Sequence, residues 1–122
     1  MYDKIIVRDT LQKIQIATQT IIERALEVDN LNDLPKSPDG MLRLDALCMN
    51  LIALGEAVKG LDKQTGGELL PKYPEIYWNG VMRMRDKIAH HYFEIDTDIV
   101  CRTITEDIPL LQKTIEKMID DL

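Results

Sequence analysis

Apolar residues recur every three or four positions along most of the chain, which is the spacing of one face of an α-helix. The first such stretch, about Asp3 to Val28, contains no proline or glycine, so it predicts one long amphipathic helix. Its apolar stripe consists of Ile6, Leu11, Ile14, Ala17, Ile21, Ile22, Ala25 and Leu26. Asp29-Asn30 and residues 35–40 (Pro-Lys-Ser-Pro-Asp-Gly) then predict a turn and a loop.

A second helix is predicted from about Gly40 to Leu61, and its apolar residues cover more than one face. It should therefore be more buried than the first. Gly55 lies inside this pattern, where glycine costs about 1 kcal/mol relative to alanine, so we expect a neighbouring helix to approach closely there. Glu56 has two interpretations: a solvated or ion-paired carboxylate at the helix edge, or a residue that orients a site side chain on the next helix.

The second half of the chain predicts two more helices after a connector at residues 64–74, which contains glycines and prolines. The third should begin at Glu75 and end near His90 or Tyr92, with Trp78 as a packing anchor. The fourth should begin near Thr97 and be kinked or split by Pro109, which cannot continue a helix. No segment alternates as a strand does, so the sequence predicts an all-α fold, an up-and-down four-helix bundle in one domain.

Composition narrows the class of protein. The 122 residues carry a net charge of −6, which argues against coating nucleic acid through bulk charge but allows a small basic cleft. Cys48 and Cys101 are far apart and are interpreted as core thiols. No apolar run is long enough to span a membrane, and residues 1–4 lack a signal-peptide pattern, so we expect a cytoplasmic protein.

The unusual chemistry is concentrated in residues 85–92, Arg-Asp-Lys-Ile-Ala-His-His-Tyr, which hold both histidines of the chain. A guanidinium, an imidazole and a phenol together suit phosphate binding and proton transfer. Other sites are disfavoured: the sequence has no metal-binding Glu-x-x-His, His-x-x-x-His or Cys-x-x-Cys pattern and no glycine-rich phosphate loop, and serine is nearly absent. We therefore expect no cofactor or metal.

Helical geometry decides which of these side chains can meet. Asp86 and His90 are four residues apart and share a face, so the carboxylate could fix the imidazole tautomer. Arg85 and His90 are five apart and diverge by roughly 140°. Two copies of the helix meeting across a two-fold axis, or a helix end that unwinds near His90, could bring both to one target, so we expect a homodimer with the cleft at its interface. Alternatively, Arg83, Arg85 and Lys87 form a solvated basic face, and the histidines mark a helix C-terminus that favours basic residues.

These residues also resemble a known family. Arg85-x4-His90-x-Tyr92 is similar to the R-x4-H-x-Y motif of HepT-like toxins, members of the HEPN superfamily of helical bundles. The resemblance extends to the strings Leu-Gly-Glu-Ala at 54–57, Tyr-Pro-Glu-Ile-Tyr-Trp at 73–78 and His-His-Tyr-Phe-Glu-Ile-Asp at 90–96. It covers about Leu42 to Leu111.

The resemblance implies a metal-independent endoribonuclease, the toxin of a type VII toxin–antitoxin pair. Its partner would be a MntA-like minimal nucleotidyltransferase that transfers AMP to the motif tyrosine. Arg85 and His90 are then the catalytic residues, Tyr92 is the modified residue, and supporting residues are Asp86, Glu56, Arg83 and His91. The spacing favours His90 over His91 as the acting imidazole. Two alternatives stay open: a non-catalytic HEPN subunit that binds a nucleotide or partner, and a structural helical dimer.

Overall fold

The computed structural model describes residues 2–122. Met1, which belongs to the N-terminal segment considered in the sequence analysis, lies outside the described residues. The α-helices are α1 (Lys4–Leu26), α2 (Pro38–Gln64), α3 (Trp78–His90), α4 (Thr97–Arg102) and α5 (Ile108–Asp121). Short 3₁₀ helices occupy Leu31–Lys36, Leu70–Lys72 and Tyr92–Glu94, and a π-helical turn occupies Thr103–Asp107. No strand occurs between residues 2 and 122, which confirms the predicted all-α helical bundle.

The first two helices are set by their caps. The Asp3 side chain accepts hydrogen bonds from the backbone N–H groups of Ile5 and Ile6 and so begins α1 close to the predicted position. The second helix is longer than predicted at both ends. Ser37 caps it by accepting from Gly40 N at 3.0 Å, and Pro38 suits the first turn because no partner is needed for its missing N–H. The expected loop at residues 35–40 is therefore wrong for Pro38 to Gly40.

The third helix begins at Trp78 and not at the predicted Glu75. The Trp78 indole N–H donates to the backbone oxygen of Tyr73 at 2.9 Å, and Tyr73 and Ile76 are buried. These tertiary anchors hold residues 73–77 in a turn in place of a first helical turn. Trp78 is itself buried, which confirms it as a packing anchor, and the helix ends at His90 as predicted.

The fourth predicted helix changes from α-helical to π-helical geometry just before Pro109, and then returns to α-helical geometry. Pro109 lies in the first turn of α5 and cannot donate to the carbonyl four residues earlier. The wider π-helical turn at Thr103–Asp107 immediately precedes α5. The start of α4 is fixed by Asp96, whose side chain accepts from Asp98 N at 2.9 Å. The disturbance predicted at Pro109 is therefore present as a π-helical turn, and the helix is not split in two.

The core is mainly aliphatic, in keeping with an aromatic content of 5%. Helix α2 packs between α1 and α3, and α5 packs on α1. Cys48 and Cys101 are both buried, and burial raises the pKa of the Cys48 thiol to about 11. They are core thiols, as expected. Within residues 2–122, none of the helices combines the length and the apolar content that crossing a bilayer requires.

Gly55 determines how closely α3 approaches α2. A Cβ atom at this position would overlap the Cβ of Arg85 and lie 3.4 Å from the Val81 carbonyl oxygen. The predicted close approach is confirmed, and the residue that approaches is the arginine of the motif. Only a glycine lets α3 lie at this distance from α2 without displacing Arg85.

Replacing Gly55 with alanine should therefore destabilise the bundle. We expect Gly55→Ala to lower the free energy of unfolding by about 1–3 kcal/mol, because the added methyl group overpacks the α2–α3 contact. Gly60→Ala is the matched control on the same helix, since a Cβ there meets nothing within 4 Å, and it should stabilise by about 0.5–1 kcal/mol. Urea denaturation measures both. Equal stability of the two variants would contradict the close contact.

Candidate functional site

Arg85 lies at the centre of a charged cluster between α2 and α3. Its Nε atom forms an ion pair with Glu56 Oε1, and its Nη1 donates to Asp86 Oδ1 at 3.0 Å. The side chain is 22% exposed, and the buried Nε–H is not aligned with an acceptor, so the Glu56 contact is an ion pair and not an aligned hydrogen bond. A guanidinium carries five donors, which leaves donors that could bind a further anionic oxygen such as that of a phosphate.

Glu56 combines features of both interpretations of its sequence position. Its side chain is half exposed at the helix edge and is paired with a basic side chain. That basic side chain is Arg85, so Glu56 contacts the predicted site residue on the next helix. Because the carboxylate is shared with solvent, the pair contributes little to folding and more to where the guanidinium lies.

Asp86 is turned toward α2 and not toward His90. Its Oδ1 accepts from Lys59 Nζ as well as from Arg85. These two hydrogen bonds hold the pKa of the Asp86 carboxyl below its usual range, and the hydrogen bond from Lys59 has the larger effect. No hydrogen bond or ion pair joins Asp86 to His90 in the described part of the chain, so the predicted Asp86–His90 pair does not form in this structure.

Lys59 is a member of this cluster that sequence reasoning missed. It follows Glu56 by three residues on α2, which places both on one face of the helix. A Glu-x-x-Lys spacing beside Gly55 was the available signal, but the sequence gives no way to know that two consecutive residues of α3 meet that face. The cluster thus contains two acids and two bases, and each helix supplies one acid and one base.

His90 is the last residue of α3 and is exposed. The helix is regular from Trp78 to this point, so the divergence of roughly 140° between Arg85 and His90 persists. Unwinding before His90, one of the two ways to bring both to one target, does not occur in this structure.

Arg83 and His91 lie outside the Arg85 cluster. Arg83 Nη1 donates to the Tyr77 hydroxyl oxygen at 3.1 Å, and its guanidinium lies 5.9 Å from the centre of the Tyr77 ring. His91 caps α3, and its Nδ1 is 3.9 Å from Glu94 Oε2. Arg83 and Lys87 are exposed and fit the description of a solvated basic face, whereas Arg85 does not.

Tyr92 is in the 3₁₀ turn after α3, so it does not continue that helix. Its ring packs against the core, and its hydroxyl is buried with no hydrogen-bond partner. The adjacent Phe93 is fully exposed, and the two rings meet edge to face with centroids 5.9 Å apart. A phenol in this position is shielded from any reagent in solution.

The candidate site does not coincide with the three cavities described, of about 660, 450 and 170 Å³. Of the predicted site residues, Arg83 lines the smallest of the three. Neither Arg85 nor His90 lines any of these three. Three or more His, Cys, Asp or Glu side chains arranged to hold a metal ion are not found between residues 2 and 122. The carboxylates of Glu56 and Asp86 that flank Arg85 are each about half exposed, so the cluster is open to solvent on one side.

Comparisons with known proteins point to one family. The model of the HepT-like ribonuclease family matches residues 22–118. A provisionally named RNase of Caldanaerobacter subterraneus is 31% identical over 112 residues, which are 92% of this chain and 93% of that protein. A provisionally named RNase of Methanocaldococcus jannaschii is 38% identical over 77 residues, 63% of this chain and 60% of that protein.

A third relative carries the HepT name itself. This provisionally named ribonuclease HepT of Thermococcus cleftensis is 37% identical over 73 residues, 60% of this chain and 63% of the relative. The chain therefore aligns with less than two thirds of the length of the two archaeal relatives. No solved protein structure gives a significant match.

The buried hydroxyl of Tyr92 leads to a stability prediction. An unpartnered buried hydroxyl costs about 1–3 kcal/mol, so we expect Tyr92→Phe to raise the free energy of unfolding by about 1 kcal/mol. Tyr73→Phe is the matched control, because the Tyr73 hydroxyl donates to Asp121 Oδ2 at 2.8 Å, and its loss should lower that free energy by about 1 kcal/mol. Chemical denaturation of both variants measures the difference. A Tyr92→Phe variant less stable than wild type would show that the hydroxyl has a partner.

Proposed function

Because this chain belongs to the HepT-like ribonuclease family, we propose that it cleaves RNA and is the toxin of a toxin–antitoxin pair. The observation that carries the proposal is the family match over residues 22–118, which includes Arg85, His90 and Tyr92. The ion-pair cluster gives it a physical basis, since it holds Arg85 partly shielded while leaving donors for a phosphate. We propose that the protein acts in the cytoplasm, where RNA and ATP are both present.

The proposed reaction needs no metal ion. His90 accepts the proton of the ribose 2′-hydroxyl, and the 2′-oxygen attacks the adjacent phosphorus. A new P–O2′ bond forms while the P–O5′ bond breaks. The leaving 5′-oxygen takes up a proton from water, and His90 releases its proton to solvent. Arg85 stabilises the negative charge that develops on the phosphate oxygens. The products are a 2′,3′-cyclic phosphate and a 5′-hydroxyl end.

We further propose that the active form is a homodimer in which Arg85 and His90 of both copies line one cleft. The support is geometric: the two side chains diverge on a regular α3, and the carboxylates that flank Arg85 are about half exposed. A second copy related by a two-fold axis would supply the missing wall and the complementary residue. Assembly beyond the dimer would require further contacts with the antitoxin.

Removing either catalytic residue should abolish RNA cleavage. We expect Arg85→Ala and His90→Ala each to lower the cleavage rate at least a hundredfold, because each removes proton transfer or charge stabilisation, and to relieve growth arrest on expression. Arg102→Ala, on the exposed surface of α4, is the control for loss of a positive charge. His91→Ala should lose less activity than His90→Ala. Full activity in Arg85→Ala and His90→Ala would refute the assignment.

Mixing the two inactive variants tests the shared cleft. A mixed dimer of Arg85→Ala and His90→Ala subunits retains one intact arginine and one intact histidine in the common cleft. Activity should therefore reappear on mixing, and the mass in solution should be that of a dimer. Activity confined to a monomer, or no recovery in proven mixed dimers, would contradict a shared cleft.

The proposed antitoxin is a MntA-like nucleotidyltransferase that transfers AMP from ATP to the Tyr92 oxygen with release of pyrophosphate. The attached nucleotide would place bulk and negative charge near the surface where RNA phosphates dock. Since the Tyr92 hydroxyl is buried in this structure, transfer requires the turn Tyr92–Glu94 to open. The fully exposed Phe93 offers the antitoxin a contact on that turn.

Modification should be specific to this tyrosine. With the partner enzyme and ATP, we expect the intact mass to rise by at least one AMP, with Tyr92 as the attachment site and cleavage activity lost in parallel. Tyr92→Phe should block both effects, whereas Tyr77→Phe, which removes an exposed phenol, should block neither. Modification of Tyr92→Phe to the same extent as wild type would contradict the site.

A second candidate function is a non-catalytic HEPN subunit that binds a nucleotide or the nucleotidyltransferase. One observation favours it: Arg85 is already paired with two carboxylates, Glu56 and Asp86. The cleavage and growth assays of the wild-type protein decide between the two functions. Partner binding without RNA cleavage or toxicity in the wild-type protein would support this second function.

A further inference from the structure

We propose that Lys59 is a positioning residue: by binding Asp86 from α2, it holds that carboxylate against the Arg85 guanidinium. The inference rests on the proposed RNA cleavage at Arg85. It assigns a role to a residue that lies on a different helix from the Arg-His-Tyr motif.

The geometry of α3 alone does not explain the contact between Arg85 and Asp86. Consecutive residues of an α-helix project about 100° apart and do not face each other. Nevertheless Arg85 Nη1 and Asp86 Oδ1 are 3.0 Å apart. The same Oδ1 atom accepts from Lys59 Nζ, so the ammonium group on α2 lies on the side to which the carboxylate has turned.

The order of residues along α2 matches the order along α3. Glu56 contacts Arg85, and Lys59, one turn further on, contacts Asp86. Gly55 permits the close approach that brings these pairs together. Thus an acid followed by a base on α2 faces a base followed by an acid on α3. The Arg85 guanidinium contacts one carboxylate from each helix.

Charge gives Lys59 a second reason to matter. Without it, one arginine would face two carboxylates, and the cluster would carry a net negative charge that repels RNA phosphates. With Lys59 the acids and bases balance. The free donors of Arg85 then meet a phosphate without a net opposing charge.

Burial indicates that this role can be separated from folding. Lys59 and Asp86 are 36% and 48% exposed at their side chains, and ion pairs of this exposure contribute little to stability. A Lys59 variant should therefore fold. Its effect should appear in the placement of Arg85 and in catalysis.

The test compares Lys59→Gln, Lys59→Arg and the control Lys63→Gln in the full chain. Lys63 lies one turn further along α2, is exposed, and forms no ion pair with residues 2–122, so it matches the loss of charge. We expect Lys59→Gln to lower kcat roughly ten- to a hundredfold, because misplacing a catalytic group costs about this much. KM should change less than threefold, Lys59→Arg should recover most activity, and Lys63→Gln should match wild type.

Nuclear magnetic resonance supplies a readout that does not require RNA cleavage. In Lys59→Gln the pKa of the Asp86 carboxyl should rise, because the hydrogen bond from Lys59 is the main cause of its lowered value. The Arg85 Nε–H signal should shift at the same time. Neither should change in Lys63→Gln.

Each contrary result overturns the proposal in a recognisable way. Equal kcat in Lys59→Gln and Lys63→Gln would show that Lys59 positions nothing. A loss confined to KM, with a shallower dependence of binding on salt, would show that Lys59 contacts RNA phosphates directly. If the wild-type chain cleaves no RNA, the proposed function fails separately, and an unchanged Asp86 pKa in Lys59→Gln would then overturn the positioning role as well.

Discussion

The approach of α3 to α2 at Gly55 is the constraint on which the candidate site depends. A side chain larger than hydrogen at this position would overlap Arg85, so the absence of a Cβ sets the spacing of the two helices. At that spacing Glu56 and Lys59 reach two consecutive residues of α3. A packing feature of the core thereby fixes the position of a partly exposed guanidinium. Arginine side chains at fully exposed positions are flexible and have no such fixed position.

The net charge of the whole chain differs from the net charge of the cluster around Arg85, and each has its own consequence for binding. The chain as a whole is acidic, at −6, which disfavours nonspecific association with nucleic acid. Within the cluster, acids and bases balance, so in the proposed ribonuclease the attraction for a phosphate would come from the directed donors of Arg85 and not from a broad positive field. This arrangement favours a ligand that fits the guanidinium over one that is merely anionic.

The end of α3 separates the remaining motif residues. His90 is the last helical residue and is exposed, whereas Tyr92, two positions later, lies in a 3₁₀ turn with its hydroxyl buried. The His90 imidazole is therefore accessible to solvent, whereas the Tyr92 hydroxyl is not. In the proposed toxin these states correspond to a functional imidazole and a modification site that becomes accessible only when the turn opens.

The sequence by itself determined the class of fold, the disturbance before Pro109 and the close contact at Gly55, because periodicity and the conformational limits of proline and glycine are local properties. The predicted apolar stripe of α1 is correct only in part: Leu11, Ile14 and Ile21 are buried, but Ile6 and Leu26 are exposed, and Val7, which was not predicted, is fully buried. The sequence also picked out Arg85, His90 and Tyr92 as the residues carrying the chemistry, with roles that stay predictions. Only the tertiary structure decided that Glu56 pairs with Arg85, that Asp86 turns to Lys59 and away from His90, and that α3 begins at Trp78. Those outcomes depend on which side chains of separate helices meet, and the spacing of residues along one helix does not contain that information.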